Sequence, residues 1–161
     1  MIEELENAFI TFIRTQQNSL YLLAYSYTKN EQDALDVVQD SIQKGWLALE
    51  KLTNRDQMKS WFYTILVRTA IDLLRKQKRV ELIGDDSLLL LSEEDSYLNL
   101  DLQQALHRLP LKLREVVVLR YFEDLKIEDV AHILTIPLST AKSRLYRALK
   151  LLKIELETEE N

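Results

Sequence analysis

The sequence predicts an all-α protein of two small helical domains joined by an acidic linker, the second domain containing a helix-turn-helix. Three observations predict this fold class. Only two glycines and two prolines occur in 161 residues, so the residues on which tight β-turns depend are scarce. Apolar residues recur at intervals of three and four through most of the chain, as on the buried face of a helix. Residues 81–98 interrupt this period with acids.

The first predicted domain covers residues 1–80. Residues 20–27 are apolar on most sides, and the opening stretch has apolar residues at helical spacing: Ile2, Leu5, Phe9, Phe12 and Ile13. Residues 28–30 break the pattern, and Asn30, three residues before Asp33, suits a helix N-cap. After a loop over 52–56, a last helix runs from about 58 to 79. The helix between them, over about 31–52, is expected to bury Ala34, Leu35, Val38, Ile42 and Trp46.

The linker is predicted over residues 81–98, where Gly84 and a cluster of leucines without helical period accompany the acids. The second domain is predicted over 99–156, followed by an acidic tail over 157–161. Its first helix ends before Pro110, which suits the first turn of the next helix. Short helices are expected over 127–134 and from 138 to about 156. The helix after Pro110 is expected to bury Leu113, Val116, Val117 and Tyr121.

Composition argues against an enzyme. The absence of cysteine excludes disulfides and thiol chemistry, and fits a reducing compartment. His107 and His132 have no second ligand at metal spacing, and no glycine-rich phosphate loop occurs. We therefore predict no catalytic residue, metal, cofactor or small-molecule substrate. The acidic start lacks the features of a signal peptide, and no apolar run approaches the roughly 20 residues of a membrane span. A cytoplasmic protein that does not insert into the membrane is expected.

The charges are arranged in blocks. The formal net charge of -5 argues at first against a nucleic-acid partner. Residues 59–79, however, hold six basic residues and one acid, and residues 138–153 hold five basic residues and no acid. Residues 81–101 hold seven acids and no base. Either basic block alone would suit a solvated helix face, but two on patterned helices favour two contacts with a polyanion.

Residues 127–152 have the pattern of a helix-turn-helix. Thr135-Ile136-Pro137 forms the predicted turn. In the second helix one apolar stripe steps by three and four through Leu138, Ala141, Leu145, Ala148 and Leu152. The opposite face is basic, hydroxylated and free of acids, and such a helix fits the major groove of DNA. An ordinary amphipathic surface helix is the alternative, although such a face usually mixes both signs of charge.

The segment IEDVAHILTIPLSTAKSRLYRALKLL resembles the promoter-binding helix-turn-helix of the sigma-70 family, in particular its extracytoplasmic-function group, and LPLKLREVVVLRYFEDL resembles the segment before it. The resemblance implies that the second helix reads the minus-thirty-five promoter element. Ser139 stands where the family often has glycine, and Ala141 where valine is usual, so we expect an altered sequence preference in an intact fold. With Lys150 from the outward face, the implied DNA contacts are Ser139, Thr140, Lys142, Ser143, Arg144 and Arg147.

DVVQDSIQKGWLAL, over residues 36–49, resembles the family's polymerase-binding helix. The resemblance implies a partner in the clamp of the polymerase β′ subunit. Without the resemblance, the polar face of this helix would be interpreted as an ordinary solvated surface. Val38, Ile42 and Trp46 are expected to anchor the other side of the helix. The polar face consists of Asp36, Gln39, Asp40 and Gln43.

WFYTILVRTAIDLLRKQKR, over residues 61–79, resembles the family's minus-ten segment, and the loop over 54–59 resembles the loop that captures a flipped base. Aromatic side chains beside basic ones also suit single-stranded nucleic acid on physical grounds, although Phe62 and Ile65 are expected in the core. Arg68 stands where the family commonly has asparagine. The implied minus-ten and melting residues are Asn54, Arg55, Trp61, Tyr63, Arg68, Asp72, Arg75, Lys76 and Arg79.

The resemblance implies a sigma factor that directs core RNA polymerase to promoters and assists strand opening. Its implied partners are core polymerase, through the β′ clamp and the β flap, promoter DNA, and an anti-sigma factor, often membrane-anchored. Two alternatives remain open at the sequence level. A helix-turn-helix regulator that binds duplex DNA without polymerase leaves the first basic block unexplained. A helical interaction protein such as an adaptor leaves both blocks unexplained.

Overall fold

The computed structural model describes residues 2–83 and 100–160, with side-chain detail for 2–78 and 104–153. Both described ranges are helical, and neither contains a strand. They belong to two separate compact units, as the two-domain prediction requires.

The N-terminal unit is built from three long helices, α1 (Ile2–Thr28), α2 (Glu31–Leu47) and α3 (Met58–Ile83). Two single 3₁₀ turns, Leu49–Lys51 and Arg55–Gln57, connect α2 to α3. Each of the three helices packs against the other two. The chain leaves α1 at Lys29, whose backbone is left-handed with φ of 59°. α3 includes residues 81–83 of the predicted linker; the rest of that linker lies outside the described residues.

Asn30 caps α2 as predicted, and the same cap joins α2 to α3. The Asn30 side-chain oxygen accepts a hydrogen bond from the Asp33 backbone N–H at 2.8 Å, and the Asn30 amide donates to the Asp33 carboxylate at 2.7 Å. The amide of Gln77, 44 residues further along, donates to the same carboxylate oxygen. We call this set of three residues the Asp33 latch.

An aromatic cluster fills the centre of the N-terminal unit. Phe9 of α1 and Phe62 of α3 are fully buried, with their ring centroids 5.7 Å apart in an edge-to-face arrangement. Phe12 packs edge-on against the same Phe62 ring, and Trp61 packs edge-on against Phe9. Leucines complete this core, including Leu20, Leu23 and Leu66.

The buried face of α2 is not the one expected. The residues of α2 that face the core are small, namely Ala34, Val37, Ser41 and Gly45. Ala34 was predicted correctly, but Leu35 is exposed, Val38 and Ile42 are half-buried, and Trp46 is 43% exposed. Space is tight at position 45 of this face, because a Cβ atom there would lie 3.0 Å from Phe9 Cζ and 3.2 Å from the Phe62 ring. The glycine therefore allows α2 to approach the aromatic cluster.

The C-terminal unit contains α4 (Leu100–Arg108), α5 (Leu111–Val117), α6 (Ile127–Leu134) and α7 (Leu138–Glu160). Pro110 is the N-cap of α5, and α7 continues through residues 157–160 of the expected tail. Ala141, Ala148 and Leu152 are buried along α7, whereas Leu138, the first residue of the helix, is 38% exposed. The core joins α4, α5 and α7 through Ala105, Leu106, Leu109, Leu113, Val117, Ala148 and Leu152.

Tyr121 is 52% exposed, although helical periodicity placed it in the core. A π-helical turn, Val118–Phe122, follows α5 and adds a residue to the turn. This turn rotates the following side chains relative to a regular α-helix, so Tyr121 faces outward, where the guanidinium carbon of Arg120 lies 5.2 Å from its ring centroid. Apolar spacing alone could not reveal the inserted residue.

We expect Gly45→Val to destabilise the N-terminal unit by about 2 kcal/mol, since a branched side chain would overlap Phe9 and Phe62. Both tryptophans, Trp46 and Trp61, belong to this unit, so tryptophan fluorescence during thermal unfolding reports on it alone. Gln32→Val, on the exposed side of the same helix, is the control and should change stability by less than about 1 kcal/mol. Equal melting temperatures for the two variants would contradict the close approach.

Candidate functional site

The helix-turn-helix is closed by backbone hydrogen bonds. At the end of α6 the Ile136 N–H donates to the Ala131 carbonyl at 3.0 Å and the Thr135 N–H donates to the His132 carbonyl at 3.2 Å. Thr135, the residue that follows α6, has a left-handed backbone conformation with φ of 57° and ψ of 48°. Pro137 immediately precedes α7, and its carbonyl accepts a hydrogen bond from the Ala141 N–H at 3.0 Å. These bonds fix the direction in which α7 leaves α6.

The outward face of α7 presents the predicted basic residues to solvent. Ser139, Lys142, Ser143, Arg147 and Lys150 are exposed, whereas Thr140 and Arg144 are half-buried. No acid lies between residues 138 and 153 to offset the charge along this stretch of the helix. Tyr146, which is not among the predicted DNA contacts, is 72% exposed on the same helix. We call this surface the α7 face.

A second basic surface runs along α3. Trp61, Arg68, Asp72 and Arg75 follow one another at spacings of seven, four and three, which places them on one side of the helix. Arg68, Asp72, Arg75 and the adjacent Lys76 are exposed, and Trp61 is half-buried against Phe9. Arg79 continues the spacing along the backbone of α3. We call this surface the α3 face.

Tyr63 does not belong to the α3 face, which corrects the sequence prediction. Its side chain is 0% exposed and packs edge-on against Phe12, with ring centroids 6.4 Å apart. Two residues after Trp61, the helix has turned by about 200°, so Tyr63 points into the core and cannot stack on a base. Tyr63, Leu66, Val67 and Ala70 are all buried and recur at helical spacing. This apolar spacing is the sequence signal that could have placed Tyr63 in the core.

The loop before α3 is ordered by its own cap. The Asn54 side-chain oxygen accepts from the Asp56 backbone N–H at 3.0 Å, which stabilises the second 3₁₀ turn. The exposed Arg55 and the half-buried Lys59 line a hollow of about 580 Å³ between this loop and the start of α1. Its other walls include Asn7, Thr11 and Phe12. We call it the loop hollow.

The acid and amide side chains of α2 share one exposed face: Asp36, Gln39, Asp40 and Gln43. We call it the acid–amide face. The Gln32 amide donates to the Asp36 carboxylate at 3.2 Å. All four side chains are exposed, and their role as a polymerase-binding surface stays a prediction.

Apolar side chains beside the acid–amide face were missed by sequence reasoning. Ile10 and Ile13 of α1, with Ile42 and Trp46 of α2, line a hollow of about 420 Å³ together with Gln39 and Gln43. We call it the apolar hollow. It exists because small residues occupy the core face of α2 and leave the bulky ones at its edge. The stripe of Ala34, Val37, Ser41 and Gly45 was the signal that could have indicated it.

Over the part of the chain that the structure describes, no group of three or more histidine, aspartate or glutamate side chains could hold a metal ion. In the same residues, no helix has the length and apolar character needed to cross a membrane.

A helix-turn-helix with a basic outward face, accompanied on a separate unit by a basic and aromatic surface, defines a DNA-binding protein of the transcription machinery. Comparisons with known proteins specify the family. Residues 6–80 match Sigma-70 region 2, and residues 99–152 match Sigma-70, region 4.

Full-length similarity extends over both units. The chain is 48% identical over 153 residues to the RNA polymerase sigma factor SigV of Bacillus subtilis, covering 94% of this chain and 92% of that protein. It is 27% identical to the ECF RNA polymerase sigma factor SigW of the same organism, over 94% and 90% of the two chains. The chain belongs to the sigma-70 family of RNA polymerase sigma factors, in the extracytoplasmic-function (ECF) group.

Among solved structures, the chain resembles the sigma factor RpoE in complex with the anti-sigma factor NepR from Bartonella quintana. The TM-score is 0.79 at 27% sequence identity, covering 92% of this chain and 96% of that chain. The predicted family and fold are thus confirmed, while the individual contact residues stay predictions.

Thr135 is a β-branched residue in a left-handed conformation, which disfavours an L-residue by roughly 1–2 kcal/mol. We expect Thr135→Gly to stabilise the C-terminal unit by about 1 kcal/mol, because glycine adopts this conformation without a clash. Slower hydrogen exchange of amides within residues 104–153 of the full chain is the measurement. Lys126→Gly, at a negative φ in the same unit, should instead speed exchange; faster exchange in Thr135→Gly would contradict the expected gain.

Proposed function

We propose that this sigma factor divides its work among the surfaces described above. The acid–amide face and the apolar hollow bind core polymerase, the α7 face reads the minus-thirty-five element, and the α3 face with the loop hollow recognises and opens the minus-ten element. The observation that carries the proposal is the presence of two exposed basic surfaces, one on each unit, in a chain whose net charge is -5. A protein that binds duplex DNA without opening it needs only the α7 face.

Reading of duplex DNA is assigned to the α7 face because its geometry suits the major groove. Arg147 and Lys150 are exposed and can reach guanine acceptors or phosphates, while Ser139 and Ser143 can donate to or accept from either. Arg144 is half-buried, so its expected role is a phosphate contact at the edge of the groove.

Strand opening is assigned to the α3 face and the loop hollow. A base extruded from the duplex loses stacking worth a few kcal/mol, so the protein must hold it to make opening favourable. The loop hollow borders the ordered turn that Asn54 caps, and its volume of about 580 Å³ is ample for one base. Trp61 offers an aromatic surface at the start of the α3 face, and Arg68 and Arg75 can hold the phosphates of the separated strand.

Polymerase binding is assigned to α2 because charge and apolar area lie side by side there. Asp36 and Asp40 suit a basic partner surface such as the family's β′ clamp. Trp46, 43% exposed beside Ile42, supplies the kind of aromatic anchor that dominates the energetics of protein interfaces. A contact of the C-terminal unit with the β flap is proposed from family membership alone.

We also propose a regulatory partner and a cellular location. The solved relative from Bartonella quintana is described in complex with an anti-sigma factor, which supports the proposal that an anti-sigma factor also binds this chain. A subunit of polymerase that acts on promoter DNA works in the cytoplasm. We propose that it contributes binding and strand opening, while the catalytic steps belong to core polymerase.

A mobility-shift assay on a promoter fragment, with and without core polymerase, tests the proposed function. We expect tight binding and permanganate-reactive, opened thymines only when both proteins are present. Arg147→Ala should weaken promoter binding of the holoenzyme by about 5- to 100-fold and leave core binding unchanged, since it removes one base or phosphate contact. Tight duplex binding by the isolated chain, with no further effect of polymerase, would instead support a regulator that acts alone.

We expect Asp40→Arg to weaken binding to core polymerase by at least about tenfold, because it reverses a charge facing a basic partner. Trp46→Ala should weaken binding similarly by removing the apolar anchor. Affinity for labelled core polymerase is the measurement. Glu50→Arg makes the same charge change at an exposed acid outside the acid–amide face and is the control. Equal affinities of Asp40→Arg and Glu50→Arg would contradict the assigned docking surface.

A further inference from the structure

Tyr146 is the most exposed tyrosine, tryptophan or phenylalanine among the described side chains. It is 72% exposed, against 52% for Tyr121 and 43% for Trp46. It lies near the middle of α7, about one turn from Lys142 and one turn from Lys150. A ring so exposed adds little to the core of the C-terminal unit, so the fold does not account for an aromatic residue at this position.

Helical spacing places Tyr146 on the α7 face. It follows Ser139 by seven residues and Ser143 by three, so the three side chains project from one side of the helix. Arg144, which is half-buried, lies about 160° away from Tyr146 around the helix axis. The α7 face therefore has a half-buried edge at Arg144 and an exposed edge at Tyr146.

The predicted DNA contacts of the α7 face do not include an apolar side chain. They are lysines, arginines, serines and one threonine. Charged groups and hydroxyls suit guanine acceptors and phosphates, whereas the C5 methyl group that distinguishes thymine in the major groove is read by apolar contact. Thr140 has the only methyl group of the set and is half-buried. Tyr146 supplies exposed apolar area beside these polar contacts.

We propose that Tyr146 determines part of the sequence specificity of the α7 face, by packing its ring against the C5 methyl group of a thymine in the major groove. The inference rests on the proposed function of the α7 face in reading duplex DNA. The ring and the methyl group both leave water in this contact, and a cytosine in the same place lacks the methyl group. The phenolic hydroxyl can stay in water, so the contact requires the ring alone. Ser139 and Ser143, on the same side of α7, can bond to neighbouring base edges or phosphates.

Replacement of thymine by deoxyuridine tests this contact, because uracil pairs with adenine in the same way and lacks only the methyl group. Duplex promoter fragments with one deoxyuridine at each minus-thirty-five thymine in turn, in either strand, are titrated with holoenzyme assembled from the full chain and core polymerase. We expect one position at which the replacement weakens binding about three- to tenfold, as the loss of one buried methyl contact requires. At that position the replacement should weaken binding by Tyr146→Ala less than about twofold. Tyr146→Phe, which keeps the ring, should respond like the unmodified protein.

Tyr121→Ala is the control, because it removes an exposed tyrosine of the same unit that lies outside α7, and it should keep the full deoxyuridine effect. The dependence of log affinity on log salt should be the same for Tyr146→Ala and the unmodified protein, since no phosphate contact is lost. Equal deoxyuridine effects in these two proteins at every position would overturn the proposal. A shallower salt dependence of Tyr146→Ala would overturn it as well, by assigning the side chain to the phosphate backbone. Failure of the proposed function is distinguishable, because the unmodified holoenzyme would then bind the promoter fragment no better than a duplex of unrelated sequence.

Discussion

The close approach of α2 to the aromatic cluster determines which side chains the N-terminal unit offers to its partners. Gly45 lies against Phe9 and Phe62, and Ala34, Val37 and Ser41 continue the same narrow contact. Small residues occupy the core face of α2, and Ile42 and Trp46 lie at its edge, beside the acid–amide face. A single packing constraint therefore places apolar anchors next to acids, a combination that neither the periodicity nor the charge of α2 indicated by itself.

Local chemistry made the chain's elements predictable. The Asn30 cap, the proline before α5 and the apolar stripe of α7 each act within a few residues, so the sequence indicates them directly. The predictions of burial were wrong where the outcome depends on contacts with distant residues or on a change in helix geometry. The buried face of α2 depends on rings contributed by α1 and α3, and Tyr121 faces outward because a π turn shifts the helical register. The prediction for Tyr63 was wrong because an aromatic ring suits base stacking only when it is exposed, and the helical position of Tyr63 places it in the core.

The segregation of charge suits a protein that acts only within a larger complex. Basic residues are concentrated on the α3 and α7 faces, and acids lie on α2 and over residues 81–101. Nonspecific affinity for DNA follows the number of phosphates neutralised, and nearby acids reduce it. Under the proposed function, affinity for promoter DNA can then depend on polymerase, which would contribute its own contacts and occupy the acids of the acid–amide face.

The Asp33 latch has a mechanical consequence for strand separation. Under the proposed function, a strand held by Arg75 and Lys76 would pull on the part of α3 that extends beyond the aromatic cluster. Gln77 lies immediately after these residues and is tied to the first turn of α2 through Asp33. Force on this part of α3 therefore passes into a second helix, so that α3 bends less under the load. Work done on the bound strand can then go into separating bases, with little lost in deforming the protein.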